Sequence, residues 1–346
     1  MLKVIEDEIT WRQIIQGFSL YDFYHTWDYH KISKKEGETP LLIYFEQGNT
    51  AIALPFLKRR IAQTGYFDLT SVYGYAGPLS RNLDAHFDNS TFREALLELL
   101  EACKIISVFS RLNPFISFQD TVLDRIGEIH HLGPIVNIDL TKNEEDQWLA
   151  YSKTTKRYVN RLRRLCHVVS VSSGGEVSRF IDLYYETMKR VEAEPDYFFE
   201  EAYFFGLMES REFQCDLMIA KLRDTDEIIS GALMIKTRDI VQYHLSGTRS
   251  EYLNLTPLRL LIDETRIRAM EEGYRFFNLG GGLGSQEDSL FYFKSSFSKD
   301  FRSFSVWKYI VNEAVYLDLC EQRKSEIEDP AHFEESGYFP LYRFKS

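Results

Sequence analysis

The stretch NLGGGLGSQEDSLFYFKSSFSKDF, Asn278 to Phe301, sets three consecutive glycines after an apolar run and then places a lysine, Lys294, among aromatic side chains. Glycine lacks a Cβ, so Gly280, Gly281 and Gly282, with Gly284, would let backbone amides approach a phosphate or a carboxylate. The same residues also suit a plain turn at the end of a strand. Dinucleotide-binding GxGxxG spacing is not met: Gly282 and Gly284 fit the first pair, but Glu287 stands where the third glycine belongs. At about 100° per residue, a helix over Asp288 to Phe297 would gather Leu290, Phe293 and Phe297 on one stripe, with Lys294 at its edge between Leu290 and Phe291. Tyr292, Ser295 and Ser296 would take the polar face. A lysine on the apolar side is costly to bury unless it is paired or faces a ligand. The alternative is that its stem lies along apolar surface and its ammonium reaches water.

A second constellation is SKTTKRYVNRLRRLC, Ser152 to Cys166. On a helical wheel Lys153, Arg157, Arg161 and Arg164 form one stripe, Lys156 and Arg163 extend it, and Tyr158, Val159, Leu162 and Leu165 lie opposite. A cationic face of this kind attracts the phosphates of RNA, of a nucleotide sugar or of a lipid headgroup. It also suits a solvated face paired to the chain's own acids. No G-x-S-x-G nucleophile motif and no HExxH zinc motif occur, and the eight histidines show no ligand spacing; His130 and His131 are adjacent and read as a turn. An enzyme built from these parts works by positioning and electrostatics.

The elements that must hold these groups follow from pattern. Leu41 to Arg60 reads as a hairpin around Gln47-Gly48-Asn49. TFREALLELLEACK reads as a helix with Asn89 to Thr91 as cap candidates, and IISVFSR as the strand after it. The second half repeats this grammar. CDLMIAKL and EIISGALMIKTR form a hairpin around Arg223 to Asp226, and IVQYHLSG adds a strand. TPLRLLIDETRIRAMEEG is a helix with Thr256 as N-cap, Pro257 at its first position and Gly273 past its end. YRFFNL is the next strand; GGEVSRFIDLYYETMKRV and EEAYFFGLMES are further helices. A chain of 346 residues is long for one core, so two related α/β modules are expected.

Net charge is −11, which excludes a protein that coats nucleic acid nonspecifically; contact with a polyanion must be a local patch. Cys103, Cys166, Cys215 and Cys320 are far apart and read as buried reduced thiols. The N-terminus lacks the apolar core of a signal peptide, and no apolar run approaches the ~20 residues that span a bilayer. A soluble cytoplasmic protein is expected, with a lipid-carried substrate reached by peripheral contact.

At Asn278 to Phe301 the order strand, glycines, acidic-Ser-Leu, aromatic, Phe-Lys and Phe-x-Lys-Asp resembles the Fem-type peptidyltransferases, the FemABX family. Those enzymes move an amino acid from aminoacyl-tRNA onto a peptidoglycan precursor. The upstream YHLSGTRSEYLNLTPLRLLIDETRIRAMEEGYRFFNLGG is also similar, and the likeness runs best from Asp216 to Tyr309. The resemblance implies an α+β fold of two tandem GNAT-like domains, each a mainly antiparallel mixed sheet flanked by helices. Residues 1–141 with 306–346 would form domain 1, and 142–305 domain 2. It places Phe293 and Lys294 at the transfer site and Lys31, in TWDYHKISKKE, on the phosphates of a nucleotide-linked precursor. Trp27, Tyr243, Gly280, Gly281 and Gly282 are counted with Lys31 as substrate-binding, and Lys153, Lys156, Arg157, Arg161 and Arg164 as polyanion-binding. The family's phosphate-pairing arginine has no counterpart in AEPDYFFEEAYF; Lys189 or Arg190 would substitute, or the acceptor differs. The family's coiled-coil arm is also missing.

The implied partners are aminoacyl-tRNA and a nucleotide- or lipid-linked peptidoglycan precursor, with no cofactor and no metal. An alternative is a GNAT-like N-acyltransferase using acyl-CoA. Its pyrophosphate loop would fall at SGTRSEYLNLTP, which lacks the second and third glycines and has Leu253 and Leu255 where backbone approach is needed. A noncatalytic binding module on the same fold is the third reading.

Overall fold

The computed structural model describes residues 1–171 and 175–344. The chain divides into two compact units, Met1–Leu132 with Phe304–Ser346, and Gly133–Ser303.

The first unit opens with strand β1 (Leu2–Ile5), helices α1 (Glu8–Gln16) and α2 (Trp27–Ser33), and the hairpin β2 (Glu38–Gln47) and β3 (Thr50–Arg60). Gln47 pairs with Thr50 across the hairpin, so Gly48 and Asn49 make the turn; Gly48 has φ +59°, as such tight turns require. Strands β4 (Phe67–Thr70) and β5 (Leu79–Arg81), helix α3 (Ser90–Ala102), strand β6 (Ile105–Arg111) and the short helix α4 (Gln119–Val122) follow. Asn89 precedes α3 but makes no side-chain cap; its amide donates instead to the Val122 and Asp124 carbonyls, at 3.1 and 2.8 Å.

Strand β7 (Glu128–Asp139) carries the chain into the second unit. His130 and His131 lie in this strand rather than in a turn, because the apolar continuation IVNI draws the backbone into an extended ladder. Helices α5 (Glu144–Ala150) and α6 (Lys153–Leu165), strand β8 (Cys166–Val171), and helices α7 (Gly175–Arg190) and α8 (Glu201–Glu209) come next. Gly174, expected to open α7, lies outside the described residues. Strands β9 (Gln214–Leu222), β10 (Ile228–Thr237) and β11 (Ile240–Thr248), helix α9 (Leu258–Glu271), strand β12 (Phe276–Gly280) and helix α10 (Ser289–Lys294) complete the unit. Strand β13 (Asp300–Ile310) returns to the first unit, which ends in α11 (Glu313–Lys324) and α12 (Pro330–Glu335).

In the first unit the ladder runs β1-β2-β3-β4-β6-β13, with β5 beside β3; in the second it runs β7-β12-β11-β10-β9-β8. Each ladder is antiparallel except at one parallel pair joined through a helix: β4 with β6 around α3, and β11 with β12 around α9. The fold is therefore mixed α/β with mainly antiparallel sheet, which is the expected class.

Each unit has its own apolar core. Phe45, Phe56, Phe92 and Trp307 are among the residues filling the first, and Val159, Leu162, Met218, Leu261, Phe277 and Phe297 the second. The four cysteines are unpaired thiols.

Candidate active site

Parallel strands β11 and β12 pair over three residues only, Ile240–Gln242 with Phe276–Asn278. Beyond that point β12 ends at Gly280, whereas β11 continues to Thr248 through a register shift at His244, between the Met234–Tyr243 and Leu233–Leu245 pairs. Asn278 and Gln242, neighbours in this register, are buried, and the Asn278 amide donates to Gln242 Oε1 at 2.8 Å. On the next strand Asn137 stands opposite Asn278 and donates to Asp300 Oδ2 at 2.6 Å, while its own Oδ1 is buried without a partner. Tyr243 Oη and Ser246 Oγ are hydrogen-bonded at 2.5 Å, and burial pushes the phenol up to about 12. His244 Nε2 and Tyr203 Oη are 2.8 Å apart; burial holds that imidazole down at about 3, so it is neutral at physiological pH.

The glycines follow directly. Gly280 adopts φ +76°, and its N–H donates to Asn278 Oδ1 at 2.8 Å. A Cβ on Gly282 would lie 2.0 Å from the Gln286 carbonyl oxygen and 2.3 Å from Asp288 Oδ1, so only glycine lets the loop fold onto its own helix cap. That cap is Asp288, whose carboxylate accepts from the Phe291 and Leu283 amides at 2.9 and 3.1 Å. The first of these bonds holds its pKa below the usual carboxylate value.

Helix α10 ends at Lys294, which shortens the helix assumed from the sequence and changes its faces. Leu290, placed on the apolar stripe, is 42% exposed; Phe291 and Lys294 are the buried pair, and Phe297 is buried beyond the helix end. Lys294 is 8% exposed, and its ammonium donates to the Gly281 carbonyl at 2.6 Å. Burial holds it down to about 8, with the Asp288 carboxylate opposing. An ammonium has three donors, and among the described residues only one carbonyl accepts from this one.

The basic helix meets this corner. Ser152, the N-cap of α6, donates its backbone N–H to the Ser296 carbonyl at 2.8 Å, and Thr155 Oγ1 donates to Ser296 Oγ at 2.8 Å. Arg259, in the first turn of α9, donates through Nη1 to both hydroxyls, at 2.5 Å to Thr155 and 2.8 Å to Ser296, and its guanidinium lies 4.9 Å from the centre of the Phe293 ring. Lys153, Arg157, Arg161 and Arg164 are exposed and form no ion pair among the described residues. Lys156 is partly buried and donates to the Leu149 carbonyl at 3.1 Å. Two expectations fail here. Arg163 leaves the cationic stripe for the buried Asp263 carboxylate at 2.7 Å, and Leu165 is 39% exposed because β8 begins at the next residue and turns the chain away.

Lys31 and Trp27 belong to the first unit. Lys31 is exposed in the last turn of α2; Trp27 opens that helix with its ring edge on Trp11 and its indole nitrogen buried without a partner. Lys189 is exposed, whereas Arg190 is spent on the end of β11, donating to the Thr248 carbonyl and Ser250 Oγ at 3.0 Å each. The segment after β11 is a 3-10 turn over Ser250–Leu255, and Thr256 is left-handed with φ +50°. Pro257, not Thr256, is therefore the cap of α9; the left-handed backbone aims the Thr256 hydroxyl away from the helix amides, and that hydroxyl is buried without a partner.

Sequence reasoning passed over Arg259, Asn278, Gln242 and the Tyr203–His244 pair. Their signal was a polar residue inside an apolar run, as in YRFFNL, IVQYHL and PLRLLI.

The open parallel pair and the lysine-bearing loop beyond it lie within residues 150–295, which match the model of the acetyltransferase (GNAT) domain. Over the whole chain the fold is the tandem, Fem-type GNAT-like one. The crystal structure of FemX is similar at TM-score 0.68 and 13% identity, covering 91% of this chain and 99% of that one. The C-terminal domain from Agrobacterium fabrum whose name proposes a lysylphosphatidylglycerol synthetase is similar at TM-score 0.52 and 15% identity, over 88% and 91%. The tandem GNAT protein from the clavulanic acid biosynthesis pathway is similar at TM-score 0.50 and 10% identity, over 90% and 99%. No curated protein sequence matches the chain. Among the described residues no helix is long and apolar enough to cross a membrane.

Proposed function

We propose that the chain is a Fem-type aminoacyltransferase, acting in the cytoplasm, that moves an amino acid from aminoacyl-tRNA to the amine of a nucleotide- or lipid-linked peptidoglycan precursor. The observation that carries this reading is Lys294: a buried ammonium beside Phe293, with one carbonyl partner and donors to spare. The acceptor amine attacks the ester carbonyl carbon, and the carbonyl oxygen gains negative charge. An ammonium donor fixed in a site of low polarity stabilises that oxygen more than the neutral ester. Collapse expels the ribose oxygen of the tRNA, which takes up the proton lost by the amine, directly or through water, and leaves an amide. The cationic face of α6, joined to the Lys294 corner through Ser152 and Ser296, suits the phosphates of the donor. Lys31 suits those of the acceptor.

The match to an acetyltransferase model favours acyl-CoA as the second reading of the donor. Against it stands the 3-10 turn at Ser250–Leu255, where a pyrophosphate loop would be needed. The purified chain is to be incubated with charged bulk tRNA or acyl-CoA and with the nucleotide-linked precursor, and the precursor weighed by mass spectrometry. Gain of one aminoacyl residue, dependent on charged tRNA, is expected. Gain of an acyl group from CoA alone would replace this reading with the second, and no gain with either donor would favour a binding module.

A further inference from the structure

Arg259 is a cation without a carboxylate. Its Nη1 donates only to the neutral hydroxyls of Thr155 and Ser296, and its Nε is buried with no partner. No acidic side chain among the described residues pairs with it, although the chain carries eleven more acidic than basic residues. Aromatic rings surround it: Phe293 at 4.9 Å from its central carbon, Tyr158 at 5.7 Å and Phe297 at 5.8 Å. Burial lowers its pKa from the ordinary arginine value, and only Tyr158 opposes that shift. The Tyr158 ring has a second guanidinium beside it, that of Arg157 at 5.5 Å, on the exposed side of α6.

A guanidinium taken partly out of water is ordinarily repaid by an anion, and rings with two hydroxyls do so incompletely. Its planar fork matches phosphate oxygens two at a time. We propose that Arg259 and Arg157, flanking Tyr158, hold phosphate groups of the acyl donor next to Phe293 and Lys294. This rests on the reading of Lys294 as the transfer site, and it adds the point at which the donor's backbone leaves the surface of α6 for that site. The phosphates would be successive phosphodiesters of a tRNA end or the pyrophosphate of a CoA. Arg259 here is a binding residue that positions the donor.

The test uses the full chain, with fluorescently labelled bulk tRNA and labelled CoA as probes, titrated by anisotropy across a salt series. The variants are Arg259→Gln, Arg259→Lys and Arg157→Gln, with thermal melts for each. Both glutamine variants are expected to weaken binding of the donor probe by about tenfold, the scale of a lost charge-assisted hydrogen bond. With tRNA each should also flatten the log–log salt slope by about 1. Arg259→Lys restores the slope but not the affinity, because it keeps the charge and loses the fork. A folded Arg259→Gln variant with wild-type affinity for both probes overturns the proposal. Should that variant fail to fold, unchanged binding by Arg157→Gln, whose side chain is exposed, overturns it equally. Loss confined to CoA would keep the phosphate site and reject the tRNA reading. Binding of tRNA by the wild type and the glutamine variants alike would do the reverse.

Discussion

Lys294 keeps its charge at a place that raises the cost of having one. Its ammonium is held down to about 8 from 10.5, so between these values the unfolded chain binds more protons than the folded one. Stability should therefore rise with pH from about 8 to about 10.5, and below 8 the full cost of burial is present. Lys294→Met removes both that cost and the bond to the Gly281 carbonyl. Its stability at pH 7 should stay within about a kcal/mol of wild type, and the alkaline rise should vanish from a series of melts. Turnover should fall by about a hundredfold or more, the scale of losing an oxyanion donor; wild-type turnover would reject the role. In the proposed role Lys294 acts as the protonated donor, so the wild-type rate should decline as pH rises through about 8. Lys294→Arg, if it retains activity, should carry that decline to higher pH.

Two elements bring the chemistry of this residue into place, and each can be broken separately. Gly282→Ala pushes a methyl into the Gln286 carbonyl and the Asp288 carboxylate, so the loop must move or the cap must open. A cost of about 1–3 kcal/mol is expected, with turnover reduced further because the Gly281 carbonyl shifts from Lys294. At Gly284 an added Cβ meets nothing within 4 Å, and only its φ of +57° resists, so Gly284→Ala should cost about 1–2 kcal/mol while sparing turnover. Equal effects of the two substitutions in melts and turnover would reject the cap argument. On α6, Arg161 and Arg164 are exposed and unpaired among the described residues, so reversing both to Glu should leave the melt nearly unchanged. If tRNA is the donor, the reversal should weaken its binding and flatten the salt slope by about 2 or more.

These elements differ in how plainly the sequence announces them. The hairpins at Gly48 and at Arg223 to Asp226, the helix after Pro257 and the loop at Gly280–Gly282 are local patterns, and all lie where the pattern puts them. The end of α10 is not local: the chain leaves the helix at Lys294 because Ser296 is taken by Ser152, Thr155 and Arg259 from two other helices. A wheel drawn through Phe297 could not register that, and so Leu290 was set on the wrong face. The partners of Arg259 lie 104 and 37 residues away, which no spacing rule reaches.

At the scale of the molecule, the chain path makes the two units unequal. The second is one continuous segment, whereas the first needs Met1–Leu132 and a return from Phe304 onward. Within the first unit β13 pairs with β6 over Val306–Ile310, and the tail then closes over Asp68, which is fully buried. Its carboxylate accepts from Arg59 Nε at 2.6 Å, from Arg343 Nε at 2.5 Å and from Tyr342 Oη at 3.0 Å; Tyr342 Oη also lies 2.8 Å from Ser107 Oγ. Two of the three donors to Asp68 thus come from Tyr342 and Arg343, and removing them leaves the buried carboxylate with Arg59 as its one remaining cation, a costly loss at a buried charge. A chain ending after Ile310 keeps β13 but loses Tyr342 and Arg343. It should lose about 3–5 kcal/mol from the first unit, while the second unit, with its own core around Phe277 and Leu261, keeps its stability. Hydrogen exchange read by peptide would show β3, β4 and β6 losing protection and β9 to β12 holding theirs. Adding Asp68→Asn to the truncated chain should recover part of the loss, because the under-satisfied buried anion is gone. Uniform loss of protection across both units, or no recovery with the asparagine, would show that the tail stabilises by packing alone.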